Sequence, residues 1–354
     1  MKTTQIYPVD AQAPDAELIA RAAEVIRRGG LVAFPTETVY GLGANALDAQ
    51  AVRGIFLAKE RPAYDPLIVH LDRAEALPQV ARAIPPVAWE LATHFWPGPL
   101  TLVLPRHPQI PLEVTAGGET VAVRVPAHPV AQALIRAAGV PIAAPSANRF
   151  GRVSPTRASD VWADLAGRID LILDGGPTQV GVESTVLSLV STPPLLLRPG
   201  GVSREALAAL IGPVQLLERP VPIGERAAAP GTLLQHYAPR AQVILYRGEA
   251  PTLYATLQAE AQRWTEEGRR VGLLIAREDA EPLRSAPAVL GIAGSLADLE
   301  EVARHLFATL RALDEAGVQV ILARDFGEAG LGLAIRDRLT RAAAGHVVEV
   351  TPPD

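Results

Sequence analysis

The chain has 354 residues, more than one ordinary core accommodates, so two domains are expected. Hydrophobic residues make up 49% and charged residues 20%, a balance that suits a packed globular protein and excludes a disordered one. The net charge of −5 gives no general attraction to nucleic acid, and the absence of cysteine removes disulfides, thiolate nucleophiles and zinc–thiolate centres together.

The seven histidines are scattered, with no pair at helical ligand spacing, so no metal centre is expected. No apolar run approaches the roughly 20 residues of a membrane helix, and the N-terminus lacks an apolar signal core, which leaves the cytoplasm as the residual reading. The cations are almost all arginine, and lysine occurs only at Lys2 and Lys59. A single interior lysine in such a chain asks for a reason.

In chain order, Leu18, Ile19, Ala22, Ala23 and Ile26 form an apolar helical stripe that Gly29-Gly30 stops. Residues 31–35 (LVAFP) read as a short buried strand. Asp48 caps a helix running to about Lys59, with Val52, Ile55 and Phe56 inward. Residues 67–71 (LIVHL) form the next strand, helices follow over 74–83 and 86–95, and WPGPL breaks them. Strands are expected at 101–105, 121–125, 141–145, 169–174 and 186–190. Ser154-Pro155 reads as a helix start, a capping hydroxyl followed by a proline. Many strands with few helical crossovers imply a twisted mixed sheet with helices packed on it.

Residues 212–240 are rich in Pro, Gly and Ala without a sustained period and read as a linker. Beyond it, strands at 243–246, 271–276, 289–292 and 318–323 alternate with helices at 252–267 and 295–315. That pattern is a small parallel α/β domain.

Gly41-Leu42-Gly43-Ala44-Asn45-Ala46 fits G-x-G-x-x-A, but it is detached from the preceding strand, and a tight turn is the better reading. There is no P-loop motif. What stands out is polar residues at strand ends, where open α/β sheets bind ligands. Pro35–Tyr40 (PTETVY) follows one strand and Pro145–Asn148 (PSAN) another. Arg124 alternates out of VAVRV, and Arg198 follows an apolar run. Lys59 and Arg61 close a helix, where any cation complements the helix dipole. A compact ammonium nevertheless differs from a guanidinium at a phosphate. Each residue alone has a structural explanation; together they make an anion pocket.

These segments resemble the YrdC-like threonylcarbamoyl-AMP synthases. The stretch from Gly30 to Leu71, the K-x-R pair Lys59/Arg61, the S-x-N pair Ser146/Asn148, and WPGPLT, TVAVRVPAHP, SPT, DGG, GVEST and LLRPGG carry the likeness. PGTLLQHYAP and the C-terminal region extend it to the two-domain members. The resemblance implies a YrdC-like catalytic domain over 1–211, a linker over the active site at 212–240, and a smaller Rossmann-like α/β domain over 241–354. It implies condensation of L-threonine, bicarbonate and ATP, with Mg²⁺, to threonylcarbamoyl-AMP and pyrophosphate. A downstream threonylcarbamoyl transferase would then pass the group to tRNA. Lys59 and Arg61 are the implied catalytic residues. With Thr120, Ser146, Asn148, Ser154, Arg198 and Tyr237 they would hold ATP, while Thr38, His70, Arg124 and Ser184 would hold threonine. Asp65 stands where the family often has Asn, and an anion there would repel phosphates. The alternative readings are a non-catalytic RNA- or tRNA-binding module of the same fold and a carbamoyl-transfer enzyme of metallocentre maturation, whose zinc fingers the missing cysteines exclude.

Overall fold

The computed structural model describes residues 2–217 and 237–351; residues 218–236, most of the expected linker, lie outside the described residues. The described residues divide into two compact units. One takes the chain up to residue 217 apart from Gly151–Val153, and the other takes Gly151–Val153 with residues 237–351.

The first unit is built on an eleven-stranded mixed sheet among the described residues. Its strands run in the order Gln5–Pro8, Leu171–Asp174, Val32–Phe34, Gly41–Asn45, Ile142–Ala143, Ile68–His70, Thr120–Arg124, Leu100–Pro105, Thr185–Ser188, Leu195–Arg198 and Gln215–Leu216. Neighbours alternate irregularly between parallel and antiparallel pairing, as the run of strands with few crossovers implied. The helix Ala16–Arg27 starts where the Asp15 side chain accepts from the amides of Glu17 and Leu18, and it buries Ile19, Ala22, Ala23 and Ile26. Asp48 caps Ala49–Lys59 in the same way, and Val52 and Ile55 go into the core while Phe56 is only partly covered.

Three local expectations are corrected. Gly41–Asn45 is a strand, antiparallel to Val32–Phe34, and not a turn. A Cβ on Gly43 would come within 2.7 Å of the Phe34 ring and 2.8 Å of Ile142, so the glycine makes room for the aromatic ring. The segment 74–83 is a six-residue 3₁₀ turn, Ala74–Gln79, because Pro78 inside it cannot continue an α-helix. Ser154-Pro155 does not start a helix. The helix is Ala158–Leu165, where the Asp160 carboxylate accepts from the amides of Thr156 and Arg157, and Ser154 is released for another partner.

Among the described residues the second unit carries an all-parallel five-stranded sheet in the order Val289–Gly294, Val271–Ala276, Val320–Arg324, Gln242–Arg247 and Val347–Glu349. Helices Thr252–Glu266 and Leu299–Glu315 fall where the sequence put them. The helix Leu331–Ala342 and the edge strand Val347–Glu349 were missed, although Ala334, Ile335, Leu339 and Ala342 mark a buried helical face. Among the described residues no helix is long and apolar enough to cross a membrane.

Candidate active site

Lys59 is the last residue of the helix Ala49–Lys59 and is 1% exposed. Its Nζ donates to the main-chain oxygen of Ser146 at 2.6 Å and to that of Asn148, while Phe150 N donates back to Lys59 O at 2.8 Å. The helix end and the Ser146–Asn148 loop are thus tied in both directions. Burial pushes the Lys59 amine well below its ordinary range, and the charge of Arg61 pushes it further down.

Past the left-handed Glu60, at φ 55°, the chain turns Arg61 inward. Its Nε donates to Asp65 O at 3.1 Å, its Nη2 to Pro66 O at 2.8 Å, and Nη2 lies 2.9 Å from Asp65 Oδ2. Asp65 is completely buried. Its carboxyl pKa is raised, by burial above all, and Arg61, Lys59 and Arg198, in that order, offset only part of that rise. Lys59, Arg61 and Arg198 therefore act on one carboxylate, which brings together three residues named separately from the sequence. Thr120 opens the strand Thr120–Arg124, which pairs in parallel with Ile68–His70.

At the other end of that strand, about 13 Å from Thr120 at 3.3 Å per residue, His70 and Arg124 are register partners. Arg124 Nη1 donates to Thr38 Oγ1 at 2.9 Å, Nε donates to Gly98 O at 3.1 Å, and Nη2 pairs with Glu37 Oε1 at 2.6 Å. Thr38 is steadied by Thr36, hydroxyl to hydroxyl at 2.8 Å. His70 meets Phe34 edge to face at 6.3 Å and is held neutral, with its pKa lowered to about 3 by burial and then by Arg124. Arg198 reaches the same neighbourhood from its own strand, donating through Nη2 to Ser184 O at 2.9 Å and Ser184 Oγ at 3.1 Å. Ser184 Oγ in turn lies 2.8 Å from Thr101 Oγ1. Ser154, fully buried, donates its hydroxyl to Glu183.

Ser184 is thereby placed against Arg198, so the residues expected for threonine and for the nucleotide adjoin. Glu37 and Glu183 were not singled out for a role. Their signal lay in the polar runs PTET and GVEST, where a carboxylate directly precedes a hydroxyl residue. Tyr237 lies in the second unit, 1% exposed, stacked on Phe307 at 5.6 Å between ring centres with the Arg338 guanidinium 5.1 Å from its ring.

Residues 24–200 match the Sua5/YciO/YrdC family model, described as telomere recombination, and residues 202–344 match the C-terminal domain model of threonylcarbamoyl-AMP synthase. The chain belongs to the Sua5/YrdC family. The threonylcarbamoyl-AMP synthase of Pyrococcus abyssi is 47% identical over 332 residues, 93% of this chain and 95% of its own. That of Bacillus subtilis is 47% identical over 331 residues, 93% and 94% of the two chains. The crystal structure of P. abyssi Sua5 complexed with L-threonine matches at a TM-score of 0.90 and 44% identity, covering 99% of this chain and all of that one. Family membership thus rests on both units of the chain, and the Sua5/YrdC assignment takes in every strand-end residue described above.

Proposed function

We propose that this chain is a threonylcarbamoyl-AMP synthase that joins L-threonine, bicarbonate and ATP into threonylcarbamoyl-AMP, releasing pyrophosphate and water. The observation that carries this reading is a set of buried cations held by neighbouring segments: Arg61 paired with Asp65 at 2.9 Å, Lys59 on the Ser146–Asn148 loop, Arg198 on Ser184 and Arg124 on Thr38. These buried cations stand with the buried hydroxyls of Thr38, Thr101 and Ser184.

In this reading Arg124 and Thr38 take the threonine carboxylate and hydroxyl, with Ser184 and neutral His70 completing the contacts. Threonine nitrogen, as the free amine, forms a bond to the carbon of bicarbonate, and water leaves. A carbamate oxygen then bonds to the α-phosphorus as the bond from that phosphorus to the pyrophosphate oxygen breaks. Charge shifts onto the departing pyrophosphate, and Lys59, Arg61 and Arg198 are placed to receive it. Thr120, Ser146, Asn148 and Ser154 hold the rest of the nucleotide. Tyr237 is assigned to the same nucleotide role. Mg²⁺ would enter with the triphosphate as the substrate MgATP.

The proposal extends to the division into a catalytic domain over 1–211, a linker and a C-terminal domain from 241. It includes a cytoplasmic setting and a threonylcarbamoyl transferase that carries the product to tRNA. The test is to incubate the protein with ATP, bicarbonate and each of several amino acids and to follow products by mass spectrometry. A carbamoyl-adenylate formed with threonine, together with stoichiometric pyrophosphate, is the expected result. Binding of tRNA without any amino-acid-dependent adenylate would favour the RNA-binding reading instead.

A further inference from the structure

Asp65 is an expensive residue where it stands. Its side chain is completely enclosed, no hydrogen-bond donor meets Oδ1 among the described residues, and Oδ2 has the Arg61 guanidinium at 2.9 Å. A buried carboxylate is costly unless its charge is needed nearby. The need is visible in its surroundings. Arg61, Lys59 and Arg198 all act on it electrostatically, and Arg61 also depresses the Lys59 amine by like-charge repulsion. Without an anion, these cations would repel one another inside the protein.

We propose that Asp65 is the resident counter-ion of the nucleotide site: it neutralises Arg61 and its neighbours in the ligand-free enzyme and, as a like charge, weakens the hold on polyphosphates. The inference rests on the reading that these cations meet the triphosphate. In the empty site the carboxylate supplies the negative charge that the phosphates supply in the occupied one. The two are therefore in competition for Arg61. The consequence is a site that stays folded and charged without substrate yet does not trap pyrophosphate. Asp65 touches neither reacting atom in this scheme; it acts through Arg61 and is a positioning residue that also tunes affinity.

The effect must scale with ligand charge, which a purely structural role would not do. Full-length wild type, D65N and R61A are titrated with ATP, pyrophosphate, AMP and adenosine, and thermal midpoints are recorded with and without pyrophosphate. D65N is expected to bind ATP and pyrophosphate at least ten-fold more tightly and AMP less than three-fold more tightly, with adenosine unchanged. Its ligand-free midpoint should fall while its pyrophosphate-induced shift grows. A D65N chain that folds only in the presence of pyrophosphate supports the proposal equally, since the ligand then replaces the missing charge. Equal or weaker ATP binding by D65N, or failure to fold even with saturating pyrophosphate, overturns it. Should R61A bind ATP as wild type does, the nucleotide-site reading falls and this inference with it; loss of binding in R61A alongside unchanged D65N affinity removes the counter-ion role alone.

Discussion

The ammonium of Lys59 is seated on the main-chain oxygen of Ser146, 2.6 Å away, with that of Asn148 as its second partner. A guanidinium is planar and longer, so it cannot occupy a seat built for three tetrahedral donors. Lys59→Ala and Lys59→Arg should both lose threonine-dependent pyrophosphate release. A charge-assisted hydrogen bond contributes about 1.5–3 kcal/mol, so ATP affinity should drop roughly 10- to 150-fold on that account, measured by titration calorimetry. Normal turnover in either variant would remove the ammonium from the mechanism.

Glu37 and Arg124 form a buried pair at 2.6 Å, and Arg124 in turn holds Thr38. Removing one partner of a buried ion pair costs about 3–5 kcal/mol. Glu37→Ala should show that loss in urea unfolding and should raise the KM for threonine while leaving ATP binding in the absence of threonine unchanged. A variant with altered ATP binding and an unaltered threonine KM would contradict the assignment of this end of the sheet.

His70 has its pKa lowered to about 3 in the folded chain, by burial first and Arg124 second. Unfolded, its imidazole takes up a proton near pH 6.5. Between those values the unfolded chain binds a proton that the folded chain refuses, so stability falls as pH drops below about 6.5. The slope from this residue is at most about 1.4 kcal/mol per pH unit. Above pH 7 it contributes no dependence. His70→Phe should flatten the wild-type decline between pH 6 and 4 in chemical denaturation, and an unchanged slope would count against a neutral buried histidine.

Gly200 lies against the chain of the neighbouring segment so closely that a Cβ would overlap the backbone of Glu183, Ser184 and Thr185. Gly200→Ala must displace that segment, and with it the Ser184–Arg198 contact. Activity should fall by at least ten-fold with a lowered thermal midpoint, whereas Gly212→Ala, at a φ of 79° with none of the described residues near its Cβ position, should cost stability alone.

Much of this was legible in the sequence because short apolar runs flanked by polar residues mark strands and their ends. Val32–Phe34, Ile68–His70 and Thr120–Arg124 all followed that rule, and so did the residues at their termini, whereas the strand Leu195–Arg198 was not read as one. What stayed hidden depended on partners distant in the chain. Glycine usually interrupts strands, yet Gly43 serves one because Phe34 needs its space. Ser154 looked like a cap because its true partner, Glu183, is out of local view. Asp65 was legible as a misplaced anion, but only the fold shows Arg61 closing on it.

The cations of this site are anchored chiefly by carbonyl oxygens: Lys59 on Ser146 and Asn148, Arg61 on Asp65 and Pro66, Arg124 on Gly98, and Arg198 on Ser184. Every residue type carries a carbonyl, so swapping the side chains around these anchors leaves the holding atoms in place. Shortening or lengthening a loop by one residue does not. Apart from side chains given a role of their own, such as Asp65, Ser146 and Asn148, point changes in the 62–67 and 146–150 segments should therefore leave the cations in place, while single-residue deletions there should not.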